Sequence, residues 1–496
     1  MQEFEAYRQL KKTIADLDGV LNLLNWDQEV IAIRGGAERR ASQIGSLAAI
    51  KQQKLVTEVY PLAQKLVDSP NLNSFERENI RQDIKDLEKI TRLPIDFVAK
   101  LAEACSMAQN IWEQAKKEAN FNLFEPALER LLELKREEAD FYGYAAEPYD
   151  ALLDIYEPGA TAEYIAQLFK NLIPPLKELL KQTQEAAQVA DILSDGFFEK
   201  EIQWSLSIEV LKKLGFNFEK GRQDISSHPF SIAISMEDVR ITTRIDERNL
   251  NLMLYSTIHE CGHALYEQGL SPAYYGLPAA QACSLAIHES QSRLWENNIG
   301  RSLSFCEFIF PLLAERFPEH FKRYTAFELY QSVNQVAPSL IRILADELTY
   351  HSHIALRFEL ERDLINGKLQ TKELPEVWNH LMKSYLGLEA PDDASGVLQD
   401  IHWSMGSFGY FPTYSLGSLY AAQFYHTLLH QFPEFEADVK NGKFENLHRW
   451  LQENIYAKGR LQASEAVCLA ATGKNLDIQY FIQYIRNKLY QIYSFS

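Results

Sequence analysis

Residues 259–263 read His-Glu-Cys-Gly-His, and two imidazoles four positions apart are a spacing that hydrolytic chemistry can use. At about 100° per residue, His259 and His263 lie one above the other on one helix face, so both rings can reach a single divalent ion. Glu260 stands one step round from His259, close enough to touch a water on that ion without being a ligand. Cys261 falls about 200° from His259 and faces away, which reads as a small core residue. Zinc lowers the pKa of its water toward about 7 and polarises a substrate carbonyl. A neighbouring carboxylate collects the proton and returns it to the leaving amine, and Glu260 is the residue read in that role.

A catalytic zinc needs a third protein ligand and an open position for water. Glu289, in QACSLAIHESQSRLWENN, follows an apolar run and can project toward the first helix, with His288 and Glu296 as rivals on spacing alone. The segment from Gly269 to Pro278 is long enough to let two helices fold back as a hairpin.

The elements that must position these groups are written mainly as helices. NLNLMLYSTIHECGHALYEQG is expected to start near Asn249–Asn251 and to stop at Gly269, before Pro272. Phe4, Tyr7, Leu10, Ile14, Leu17, Leu21 and Leu24 form one apolar stripe on an opening helix. Leu128, Leu131 and Leu132 follow Glu125-Pro126, which predicts a helix with proline in its first turn, and 354–366 and 445–456 read as further helices. The exception runs from Phe230 to Arg244, where FSIAIS and DVRITTR alternate apolar and polar residues after a Ser-, His- and Pro-containing loop, Asp224 to Pro229. A mainly α fold with a small β-sheet follows. With no flexible linker and no fixed repeat, residues 1–496 read as a single catalytic domain, either one body or two helical lobes flanking a cleft.

Composition narrows the partners. Across 496 residues, 46% are hydrophobic and 24% charged, which excludes wholesale disorder, and the net charge of -18 would repel phosphate backbones and anionic membranes. Neither nucleic acid nor membrane is therefore expected as a partner. Five scattered cysteines without a CxxC pair predict neither a disulfide framework nor a cysteine-ligated zinc, and they fit a reducing cytoplasm. No apolar run approaches the roughly 20 residues a membrane span needs.

Further motifs carry a resemblance. NWDQE (Asn25–Glu29), PYDALLDIYEPG (Pro148–Gly159), SHPF (Ser227–Phe230), DVRITTR (Asp238–Arg244), HECGHALYEQG (His259–Gly269), HESQSRLWEN (His288–Asn297), IRILADELTY (Ile341–Tyr350), GVLQDIHW (Gly396–Trp403) and GYFPTYSLG around Tyr410 span nearly the whole chain. Together they resemble the carboxypeptidase Taq family of zinc metallocarboxypeptidases, of the gluzincin type. The resemblance implies a large helical peptidase fold with a deep groove, assembled as a homodimer, removing single residues from peptides with a free C-terminus. It implies one Zn2+ per subunit on His259, His263 and Glu289, with Co2+ as a possible substitute. By the same resemblance, Arg342 anchors the substrate's terminal carboxylate, for which a guanidinium fork is suited. Its ordinary reading is a helix pair with Asp346 at i+4. His402, Tyr410 and Tyr414 are implied as donors to the developing oxyanion, with neither tyrosine preferred. The DVRITTR strand is expected either to pair with substrate backbone as an added strand or to brace the histidine helix.

The leading reading is a metal-dependent carboxypeptidase with Glu260 as general base and acid. An oligoendopeptidase of the same zinc-peptidase group keeps the chemistry but has no use for a cation at a free C-terminus. A non-catalytic helical peptide-binding protein is the reading from another class, and Glu260 speaks against it, since a structural zinc needs no base.

Overall fold

The amphipathic opening stripe folds as a helix from Gln2 to Val30 and buries Tyr7 and Ile14 against Leu55, Val59, Ala63, Leu66, Ile80 and Leu87. The computed structural model describes residues 2–31, 33–194 and 196–493. Helices account for most of these residues, as the three-and-four spacing predicts. The helix Phe121–Tyr142 begins before Pro126, contrary to the reading that put proline in its first turn. Its start is set by Asn120, whose side-chain oxygen accepts from the Asn122 amide at 3.2 Å. Tyr350–Ile365 and Glu445–Asn454 fall where helices were expected.

The sheet has three strands: β1, Gly221–Ile225; β2, Ser231–Ser235; and β3, Asp238–Thr243. β2 and β3 are the two strands read from sequence, whereas β1 takes in Asp224 and Ile225 from the expected loop. The order is β1-β3-β2, with β1 parallel and β2 antiparallel to β3. A substrate strand cannot add to β3, because β3 is central and both its edges are already paired. The bracing alternative describes this strand instead: Thr243 Oγ1 donates to the Met253 carbonyl at 3.3 Å, lies 3.0 Å from Ser256 Oγ, and accepts from Thr257 Oγ1 at 3.0 Å. These bonds tie the end of β3 to the first two turns of the histidine helix.

The described residues group into two compact units. The first is drawn from Met1–Ile90, Ala190–Val333 and Tyr420–Leu476, and includes the sheet and the histidine helix. The second is drawn from Thr91–Val189, Asn334–Leu419 and Asp477–Ser496, and includes Tyr350–Ile365. Among the described residues, no helix is long and apolar enough to cross a membrane.

Candidate metal centre

The histidine helix runs from Leu250 to Gly269, close to its expected bounds. Asn249 caps it by accepting from the Leu252 amide at 3.4 Å, and Met253, Leu254, Ile258, Cys261 and Leu265 bury its apolar face. Cys261 is fully buried, on the face turned from the imidazoles. A second helix, Leu285–Arg293, is capped by Ser284 accepting from Ile287 N at 3.0 Å. The two helices touch backbone to backbone at Gly262, where an added Cβ would stand 2.6 Å from the Gln291 carbonyl oxygen and 2.7 Å from Ser292 Cα. The glycine inside His-Glu-Cys-Gly-His therefore sets the interhelix distance, and with it the reach of Glu289.

That reach is short. Glu289 Oε2 lies 3.5 Å from His263 Nε2 and 3.8 Å from His259 Nε2. One donor atom from each residue falls within 4.8 Å of the others, close enough for the three to converge on one ion. Tetrahedral coordination at about 2.0–2.2 Å places ligand atoms about 3.4 Å apart, so these three groups fit a divalent ion with little adjustment. The donor types fit as well: two ring nitrogens and one carboxylate.

The two rivals for the third position occupy the opposite side of the imidazoles. Glu296 Oε2 is 2.8 Å from His259 Nδ1, and His288 Nδ1 is 2.6 Å from His263 Nδ1, with His288 Nε2 at 2.9 Å from Glu267 Oε1. Each candidate ligand thus has its outward nitrogen held while Nε2 points to the cluster, the arrangement that orients ligating histidines. Glu296 stands on a π-helical turn, Leu294–Ile299, that continues from the Glu289 helix, and such turns recur at functional sites. Arg293 Nε donates to Glu289 Oε1 at 2.6 Å, and Arg301 Nη2 donates to Glu296 Oε1 at 3.2 Å, while the Arg301 guanidinium stacks 3.8 Å over Tyr255. The sequence named Glu296 and His288 as residues of interest but gave no sign of their part, because it depends on which ring nitrogen each one meets.

Charges in this cluster are strongly perturbed. Burial raises Glu260 to about 7, assisted by Glu289 and Glu296 and opposed by His259. Burial lowers His263 to about 3, leaving a neutral ring suited to ligation. For Glu289, burial pushes upward but Arg293 and His259 outweigh it, so the carboxyl is held far below its usual range. Glu296 behaves alike, held at about 2 by His259 and Arg293 against burial. His259 is raised, because Glu289 and Glu296 overcome the effect of burial. The cluster thus offers an ionised Glu289 and a neutral His263 as donors, while Arg293 and Arg301 balance the charge of Glu289 and Glu296.

The second unit gathers the other predicted residues. Arg342 lies in a single 3-10 turn, Arg342–Leu344, and not on an α-helix, so the expected pair with Asp346 at i+4 does not form. Asp346 instead accepts from the amides of Ala337, Leu348 and Thr349. Arg342 is 6% exposed and donates to Asp400 Oδ1 through Nε and Nη2, at 3.0 and 2.9 Å, and to Tyr350 Oη through Nη1 at 3.0 Å. Arg357 Nε holds Asp400 Oδ2 at 2.7 Å. Burial would raise Asp400, but the two arginines hold it well below the usual carboxylate range. His402 Nε2 is 3.1 Å from Tyr414 Oη, and its ring lies 4.4 Å from Phe411 and 5.4 Å from Tyr410. Burial, reinforced by Arg342 and Arg357, lowers His402 to about 4 and keeps it neutral near pH 7.

A mostly helical chain with a paired-histidine helix, a converging glutamate and an adjacent acid defines a helical metallopeptidase. The chain belongs to the carboxypeptidase Taq (M32) metallopeptidase family, whose profile matches residues 6–489, and the enzyme is a metallocarboxypeptidase. It is 36% identical to Carboxypeptidase 1 of Bacillus subtilis over 489 residues, covering 98% of this chain and 97% of that one. It is 37% identical to Thermostable carboxypeptidase 1 of Pyrococcus furiosus over 471 residues, 94% of each. Among solved structures, the M32 carboxypeptidase from Deinococcus radiodurans R1 superposes with a TM-score of 0.97 at 36% identity, covering 100% of both chains.

Proposed function

We propose that this enzyme removes single residues from peptides with a free C-terminus, using one divalent ion held by His259, His263 and Glu289, with zinc as the native metal and cobalt able to replace it. The convergence of their three donor atoms within 4.8 Å carries the reading. When bound, such an ion supplies Lewis-acid polarisation of a carbonyl and a water acidified toward neutrality. Glu260 takes the proton from the attacking water and delivers it to the departing amine; its burial, which disfavours the charged form, suits an acid that must hold a proton between the two steps. Arg342 binds the terminal carboxylate, with Asp400 and Tyr350 fixing the plane of its guanidinium. His402, together with Tyr410 or Tyr414, donates to charge that develops on the carbonyl oxygen. In support, His402 Nδ1 has no hydrogen-bond partner among the described residues, and it is a donor in the tautomer whose Nε2 accepts from Tyr414 Oη.

The proposal extends to residues 1–496 acting as one catalytic domain, to a homodimeric assembly and to a cytoplasmic location, for which the five unbridged cysteines are the support. The test is mass spectrometry of an unmodified peptide and its C-terminally amidated twin, with metal, with chelator, and after zinc or cobalt is restored. Stepwise metal-dependent loss from the free C-terminus alone is expected. Internal cleavage of both peptides would favour the oligoendopeptidase, and chelator-resistant cleavage would reject the metal site.

A further inference from the structure

His402 and Tyr410 lie on a run, Ile401 to Phe411, with turns but no regular helix or strand. A chain segment without a ladder of its own must be positioned by other bonds. Turn bonds from Gly406 N to the Trp403 carbonyl at 3.0 Å and from Ser407 N to the His402 carbonyl at 2.9 Å fold the run locally, but they do not fix it to the scaffold.

Side chains of two neighbouring helices do: Tyr156 hydrogen-bonds Ser407, and Glu361 holds the run at two further points. Glu361, on the helix Tyr350–Ile365, is 0% exposed. Its Oε1 accepts from Trp403 Nε1 at 2.8 Å; its Oε2 accepts from the Gly409 amide at 2.8 Å and from Tyr149 Oη at 2.7 Å. Trp403 directly follows His402, and Gly409 directly precedes Tyr410. A single carboxylate therefore grips the run beside each of the two polar residues, while Tyr149 fixes the carboxylate from the helix Pro148–Tyr156. The grip is stiff. The Trp403 ring lies 5° from parallel with Phe408 and edge-on to Trp378. Gly409 has φ +88°, and an added Cβ would stand 2.7 Å from the Leu152 carbonyl carbon, so only glycine brings this amide to the carboxylate.

Among the described residues, no lysine or arginine forms an ion pair with Glu361. Burying an acid without a paired cation is expensive: burial raises its pKa to about 7, although the three hydrogen bonds and the more distant charge of Arg357 pull it down. A glutamine or an apolar residue would fill the space at lower electrostatic cost, but neither offers two acceptor oxygens to three donors.

We propose that Glu361 is a positioning residue for the hydrolysis: by accepting from Trp403, Gly409 and Tyr149 together, it holds His402 and Tyr410 in their working geometry. The inference rests on the reading of those two residues as donors to the reaction.

The test uses the full-length, metal-loaded enzyme and a free-acid peptide substrate. Glu361→Gln should lower kcat roughly 10–100-fold with KM changed less than about threefold, at unchanged metal content, because a displacement of about 1 Å in a donor costs rate more than binding. Trp403→Phe, which keeps the carboxylate and removes one of its ties to the run, should lower kcat in the same direction and carries the test should Glu361→Gln fail to fold. A purely structural staple would lower the melting temperature and leave kcat per folded enzyme unchanged; that result in either variant overturns the proposal. Glu361→Gln is also made in a His402→Ala, Tyr410→Phe background, where its factor should shrink to less than about threefold. If that background itself turns over like wild type, the donor reading fails and the inference falls with it. If the background is impaired and Glu361→Gln still costs its full factor, only the positioning role is overturned.

Discussion

Glu296→Gln separates orientation of the metal site from ligation. The Glu296 carboxylate serves three donors: Oε2 meets His259 Nδ1 at 2.8 Å and Arg293 Nη1 at 3.4 Å, and Oε1 meets Arg301 Nη2 at 3.2 Å. An amide has one acceptor oxygen, so the variant can serve the imidazole or the arginines, and its NH2 group then faces a donor. If the arginines keep the oxygen, His259 loses the bond that fixes its ring and tautomer. Loss of such an outer partner costs about 10–100-fold in metal affinity, or about 1.4–2.7 kcal/mol at 1.36 kcal/mol per decade. The zinc dissociation constant, measured against a chromophoric chelator, should rise by that factor, while kcat at saturating zinc should recover to within about tenfold of wild type because no ligand is lost. A dissociation constant within twofold of wild type would refute the orienting role. No recovery of metal binding at any zinc concentration would make Glu296 a ligand in place of Glu289.

Three further outcomes are expected. Glu260→Gln should retain one metal per subunit and lose ~10²–10⁴-fold in kcat, measured by metal analysis alongside steady-state kinetics; near-normal turnover removes its role as base and acid. Arg342→Ala should harm cleavage of free-acid peptides much more than any residual cleavage of amidated ones, and equal losses would leave only its ion pair with Asp400. Glu361 makes stability depend on pH: its folded pKa of about 7 lies above the unfolded reference of 4.5, so its contribution is fully present below pH 4.5 and is lost as pH rises through 7. Relative to Glu361→Gln, wild type should lose up to about 3 kcal/mol between pH 4.5 and 8 in denaturant titrations; a difference independent of pH contradicts the raised pKa.

How much was legible in the sequence follows from how local each feature is. The histidine helix is signalled at both ends by neighbouring residues, Asn249 and Gly269, and its two histidines share a face through helical geometry alone. β2 and β3 show through alternation, whereas β1 does not: only Gln223 in GRQDI is buried, and its pairing partner lies 18 residues on, in β3. The Arg342–Asp346 pair failed because i+4 spacing has meaning only inside an α-helix, and here Asp346 closes a turn onto Thr349 while Arg342 finds an acid 58 residues away. Pro126 misled in a similar way, since the cap that starts its helix is Asn120. Glu289 stood out as an acid after an apolar run, but its distance from the histidines depends on Gly262 meeting Gln291 and Ser292, a contact between helices. The orienting side of the site, with Glu296 on a π turn and His288 backed by Glu267, is a product of packing between segments and leaves no periodic trace.

The central claim is that His259, His263 and Glu289 hold one catalytic ion, and it is tested most directly by anomalous diffraction at the zinc edge from crystals of the zinc-loaded enzyme. One peak is predicted within about 2.0–2.2 Å of His259 Nε2, His263 Nε2 and Glu289 Oε2, with Glu260 outside bonding distance. A peak on the Glu296 side of His259, a closed fourth position filled by protein, or no peak near these residues would contradict it.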